Sequence, residues 1–143
     1  MTMSDELARA FRRAEMPVAY FETHFSRESV WDDWPSEFAI LTAWATTGEL
    51  WSDERNQRAD KALETELLRH SDWVRRLTGY SQATRHAEPG WAGQLDFETA
   101  CDIGQKYLQD AMYFVSADTL SVSFCDIRRL RVPIGPFRCR LTP

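Results

Sequence analysis

The sequence predicts an α+β fold, a two-layer sandwich in which a mainly antiparallel sheet carries two principal helices on one face. Three observations lead there. Two segments, 52–70 and 97–109, place apolar residues at spacings of three and four, the period of a helix with one buried side. Between and around them lie short runs that are apolar or alternate in polarity, the period of strands. From Phe38 onward the order is strand, helix, strand, strand, helix, strand, strand. Its first six elements follow the split β-α-β-β-α-β plan. With 143 residues the chain is long enough for one domain with a real core and too short for two comfortable ones.

Each element has a local reason. Ser4 caps a helix over 4–15 whose Leu7, Ala10, Phe11 and Ala14 share one face, and Pro17 ends it. PVAYFETHF (17–25) reads as an aromatic-rich strand, followed by a polar turn whose Trp31 and Trp34 cover the core edge. FAILTAWA (38–45) is apolar on both alternating faces, as a central covered strand requires. TTGELW then turns the chain. The helix from Ser52 to His70 opens on Asp53 and Glu54 and closes on Arg69 and His70, matching its dipole. Its buried stripe is Asn56, Ala59, Leu63 and Leu67.

WVRRLTGY (73–80) reads as a strand, SQATRHAEPG (81–90) as a loop with a turn at Pro89-Gly90, and WAGQL as a short strand. Asp96 caps the second helix, which buries Phe97, Ala100, Cys101, Gly104 and Leu108. Gly104 in mid-helix costs about 1 kcal/mol against alanine, so it is expected to permit close backbone packing. AMYFVS and LSVSFCD form a hairpin around residues 117–119. In its second strand Leu120, Val122 and Phe124 make a buried face, and Ser121, Ser123 and Cys125 a wet one. Pro133 marks RRLRVPI as an edge strand or extended arm.

Composition excludes several classes. The chain is 43% hydrophobic and 13% aromatic, as a folded globular protein is. The first 17 residues hold no apolar run fit for a secretion signal, and no stretch approaches the ~20 apolar residues of a membrane span. Cys101, Cys125 and Cys139 make an odd set without C-x-x-C spacing, which disfavours a disulfide framework and a zinc site and points to a reducing cytoplasm. There is no G-x-G-x-x-G, P-loop, G-x-S-x-G or H-E-x-x-H, and no cofactor or metal is expected.

The net charge of −5 is unevenly spread. Residues 127–143 carry Arg128, Arg129, Arg131, Arg138 and Arg140 and no acid, which leaves 12 basic against 22 acidic side chains in residues 1–126. So acidic a body disfavours nucleic acid as the main partner. The basic C-terminal arm is a candidate surface for an acidic protein partner. The plainer reading lays it against the chain's own acids.

The segments FAILTAWATTGELWSDERNQRADKALETEL, Glu88-Pro89 and YLQDAMYFV resemble a bacterial family catalogued as domain of unknown function 3293. The resemblance spans roughly residues 18–126. It implies a small soluble bacterial protein without an assigned activity. Where the family carries Asn-Pro just after the strand, this chain has Ala45 and Thr46.

Four polar residues border apolar elements and need an account: Thr42, Asn56, Glu88 and Gln109. Burying them without partners would cost several kcal/mol each. Either they hydrogen-bond one another and the loops, or they converge on a site for a small polar ligand. A binding or interaction domain is the first expectation. The alternative is a small hydrolase or transferase with Glu88 as general base and Asn56 and Gln109 orienting the substrate. His86 lies in the loop 81–90 beside Arg85 and Glu88, a trio able to do general acid–base work, with a solvated loop as its plainer reading. His70 reads as a dipole partner at its helix end, and Cys101 as a small core residue.

Overall fold

A computed structural model describes residues 3–45 and 49–143. The expected turn over 46–51 therefore lies partly outside the described residues. Among the described residues, seven antiparallel strands form one sheet in the order β1-β3-β4-β2-β5-β6-β7. They are β1 (Thr23–Arg27), β2 (Glu37–Leu41), β3 (Val74–Ser81), β4 (Ala87–Gly93), β5 (Ala111–Ser116), β6 (Thr119–Phe124) and β7 (Val132–Pro136). The helices are α1 (Met3–Glu15), α2 (Asp53–His70) and α3 (Phe97–Lys106). The run from β2 to β5, with α2 and α3 between strands, is the split β-α-β-β-α-β unit expected from the sequence.

Both principal helices start on side-chain caps. Ser52 accepts from the Arg55 amide at 3.1 Å, and Asp96 from the Thr99 amide at 2.8 Å. They pack on one face of the sheet through Leu63, Leu67, Cys101 and Ile103, against Leu41, Trp91, Met112 and Phe114. Gly104 lets α3 come close: a Cβ there would stand 2.5 Å from the Cys125 sulfur.

The sheet curls around its other face. A β-bulge at Leu120/Ser121 bends the β6–β7 edge. The segment after β7 then reaches β1, where Leu141 bridges Phe25 and the Thr142 amide donates to the Phe25 carbonyl at 2.8 Å. Phe25, Phe38, Ile40, Leu77, Val115, Leu120 and Phe137 fill the concave side. At the end where β2 begins, Trp34 stacks on Phe38, and both pack on Trp73 and Phe137, closing that end. The end where β2 stops is different. It carries the candidate site.

Several expectations need correction. Residues 18–21 form a 3-10 turn, so the aromatic-rich strand starts only at Thr23. The loop expected over 81–90 shrinks to a short turn. β3 runs to Ser81, and β4 already contains Glu88, Pro89 and Gly90. Proline is tolerated there because β2 pairs with β4 only opposite residues 91–93, so nothing on that side misses the absent N–H. Both faces of β6 are buried, with Ser121, Ser123 and Cys125 as covered as their neighbours. Ser123 is satisfied by donating to the Phe124 carbonyl at 2.8 Å and accepting from the Leu130 amide at 3.0 Å. Leu108 lies beyond the end of α3 and is exposed, and Leu7 and Phe11 on α1 face outward.

Candidate functional site

β2 ends at Leu41, and residues 42–45 run on without a sheet partner on either side. Their backbone groups still need hydrogen bonds, and three of the four polar residues supply them. Thr42 donates its hydroxyl proton to the Pro89 carbonyl at 3.0 Å and accepts from the Trp44 amide at 3.1 Å. Asn56, buried in the first turns of α2, accepts from the Ala45 amide at 2.9 Å through Oδ1. Gln109 donates through Nε2 to the Trp44 and Tyr107 carbonyls, each at 3.0 Å. The three side chains replace the missing ladder.

Gly90 completes this corner. A Cβ there would lie 2.5 Å from the Leu41 carbonyl oxygen, so only glycine lets β4 pass the end of β2.

Glu88 has no part in that network. It shares the concave side of β4 with Gly90 and Ala92, by the two-residue alternation of a strand. It is half-buried, and its Oε1 lies 3.3 Å from Nε2 of the exposed His86.

Glu88 lines a cavity of about 540 Å³ at the open end of the curl. Its floor is apolar, built from Phe25, Ile40, Leu77 and Val122. One wall is the segment 19–23, pinned to the sheet by Tyr113, whose hydroxyl shares its proton between the Tyr20 carbonyl at 2.7 Å and Thr23 Oγ1 at 2.9 Å. Burial pushes the Tyr113 phenol up to about 12, and the charge of Glu88 adds to that rise. Thr42 and Gln109 also line the cavity, whereas Asn56 stands behind it, holding the loop. Three further carboxylates, Glu22, Glu49 and Asp110, lie at its exposed rim.

The five C-terminal arginines make contacts within the chain. Arg128 pairs with Asp126 at 2.7 Å and Glu15 at 3.3 Å, Arg129 with Asp102 at 2.7 Å and Glu98 at 3.1 Å, and Arg138 with Asp118 at 3.6 Å. Arg140 donates to the Phe21 and Thr23 carbonyls, and Arg131 lies over the Phe97 and Phe114 rings. Burial raises the thiols of Cys101 to about 11 and Cys125 to about 12, so both stay protonated and poor nucleophiles at neutral pH.

Sequence reasoning missed one charged cluster. Asp60 is buried and bound bidentately by Arg76, at 2.8 and 2.7 Å, with the guanidinium stacked 3.8 Å above the Trp91 ring. The signal was available, since Asn56, Asp60, Leu63 and Leu67 keep helical spacing. The cavity's lining had no such signal, because it comes from five segments distant in sequence.

A family model described as "Protein of unknown function (DUF3293)" matches residues 41–112, half of the chain and less than the 18–126 suggested by the resemblance. The matched span contains Thr42, Asn56, Glu88 and Gln109. No curated protein and no solved structure matches the chain.

Proposed function

As a member of the DUF3293 family, to which the chain belongs and whose description names no activity, it offers only its geometry as a guide, and from that we propose a binding domain that takes a small ligand into the cavity at the open end of the sheet. One observation carries this reading. The fold spends Thr42, Asn56 and Gln109 on supporting the cavity's edge, and leaves Glu88 half-buried inside it, where the exposed His86 is its one side-chain ionic contact among the described residues. A carboxylate half-removed from water gives up solvation that one exposed histidine restores poorly. That cost has a purpose when a ligand completes the site. An apolar floor with a few polar groups around it is the usual make-up of a small-molecule site.

A second reading makes the chain a small hydrolase or transferase with Glu88 as general base. The His86–Glu88 contact favours it. The orienting roles do not fit as well, since Asn56 lies outside the cavity and the Gln109 amide protons are bonded to backbone. An acidic protein partner for the C-terminal arginines would first have to displace their contacts within the chain. Three free thiols and the family resemblance support placing the protein, as part of the same proposal, in a bacterial cytoplasm. No helix among the described residues is long and apolar enough to cross a membrane.

The test is a screen of small polar and amphipathic metabolites against the ¹H–¹⁵N amide spectrum. Ligands that shift Gly79, Gly90, Gln109 and Tyr113 together would support the cavity. Ligands that shift only other surfaces, or none that bind, would overturn it.

A further inference from the structure

We infer that the cavity accepts an organic cation, an amine carrying an apolar body. This rests on the proposal that the cavity is a binding site and names the class of ligand. The cavity itself makes the site, and the charges around it choose the occupant. Its four carboxylates are Glu22, Glu49, Glu88 and Asp110. Among the described residues that line it none is a lysine or arginine, although the chain carries 17. His86 is the one basic side chain among the described lining residues, and it lies against Glu88 on the solvent side.

Carboxylates around a concave apolar wall focus a negative potential inward, because low-dielectric walls screen less than water. Such a field repels phosphates and carboxylates and favours cations. Arg140 is held by the Phe21 and Thr23 carbonyls, and neither it nor Arg85, which stands between Thr84 and His86, lines the cavity.

A bare metal ion fits poorly. Among the described residues no three His, Cys, Asp or Glu side chains come together closely enough to hold one. The acids surround the cavity without meeting at a point. Below them Phe25, Ile40, Leu77 and Val122 give a surface that an ion alone would not use. Tyr20 and Tyr113 also line the cavity, and aromatic rings near an ammonium add cation–π attraction. An ammonium near Glu88 with an apolar group on the floor satisfies both halves of the lining.

The test compares three probes with one apolar body and different charge: 2-phenylethylamine, 2-phenylethanol and 3-phenylpropanoate. Each is titrated into the full chain and followed by amide shifts of Gly79, Gly90 and Ala111, at low salt and again at about 0.5 M, where screening is strong. The amine is expected to bind at least about tenfold more tightly than the alcohol, a difference of about 1.4 kcal/mol. The carboxylate is expected to leave the spectrum unchanged. High salt, and separately Glu88→Gln, should remove most of the amine's advantage while leaving the alcohol's affinity as it was. If the alcohol or the carboxylate binds as well as the amine, the cation is wrong and the cavity stands. If none of the three moves the cavity's amides, both readings fall.

Discussion

Leu108 adopts φ 62°, the left-handed conformation that normally calls for glycine. It closes α3 in a Schellman arrangement, with its amide on the Gln105 carbonyl at 3.1 Å and the Gln109 amide on the Gly104 carbonyl at 2.9 Å. Its side chain is 54% exposed, so packing does little to offset the strain. What the turn does is deliver Gln109 to the Trp44 carbonyl. Leu108→Gly should therefore raise stability by about 1 kcal/mol in urea unfolding, and a fall would sink the strain argument. Asp60 is the opposite case, because removing one member of a buried ion pair strands the other. Asp60→Ala should cost about 3 kcal/mol, while Asp60→Leu combined with Arg76→Met should recover much of it. A double-mutant cycle reads that coupling directly.

At the scale of elements, α3 shows how a small residue sets a packing distance. Gly104→Ala gains about 1 kcal/mol of helix propensity but drives a methyl group into the Cys125 sulfur. The clash should win, with a net loss of about 1–3 kcal/mol measured by thermal or urea unfolding. Helices were the legible part of this sequence. Ser52 and Asp96, the acids that follow them and the spacing of Leu63 and Leu67 are local signals, and local signals survive without tertiary context. Glu88-Pro89-Gly90 was misread because turn-forming residues usually mean a turn. Here Pro89 is allowed in a strand only because a different strand has ended beside it. Ser121 and Ser123 misled for a similar reason: alternating polarity marks a wet face only when nothing covers it, and α3 and the segment before β7 cover this one. Thr42, Asn56, Glu88 and Gln109 stood out as misplaced polar groups. That three of them support a loop while the fourth faces a cavity depends on strand order, which no single segment encodes.

Over the whole molecule, charge placement governs the response to acid. The Arg128 hydrogen bond holds the Asp126 carboxyl below its ordinary value, the Thr99 amide does so for Asp96, and Lys106 for Glu66. Depressed folded values mean that the unfolded chain takes up protons first. Their contribution is complete above the ordinary carboxylate range near about 4, and is lost as pH falls below it through the depressed values. Urea midpoints followed from neutral pH to about 2 should fall in that window, and a midpoint that holds steady would contradict these assignments. The thiols give an independent check of the core. Cys101 and Cys125 are buried and protonated and Cys139 is exposed, so a native alkylation should label one thiol and a denatured one three. Fast native labelling of all three would mean that the α3–β6 contact opens readily.

Whether Glu88 is held in the cavity for a ligand or for the fold is decided by Glu88→Gln. The substitution keeps the shape and removes the charge. Urea unfolding of the two proteins side by side should show no loss of stability, or a gain, as expected where a group is retained at the expense of stability. A loss of about 1–3 kcal/mol would show that the carboxylate anchors the native structure, and the cavity would then be a by-product of how the sheet curls.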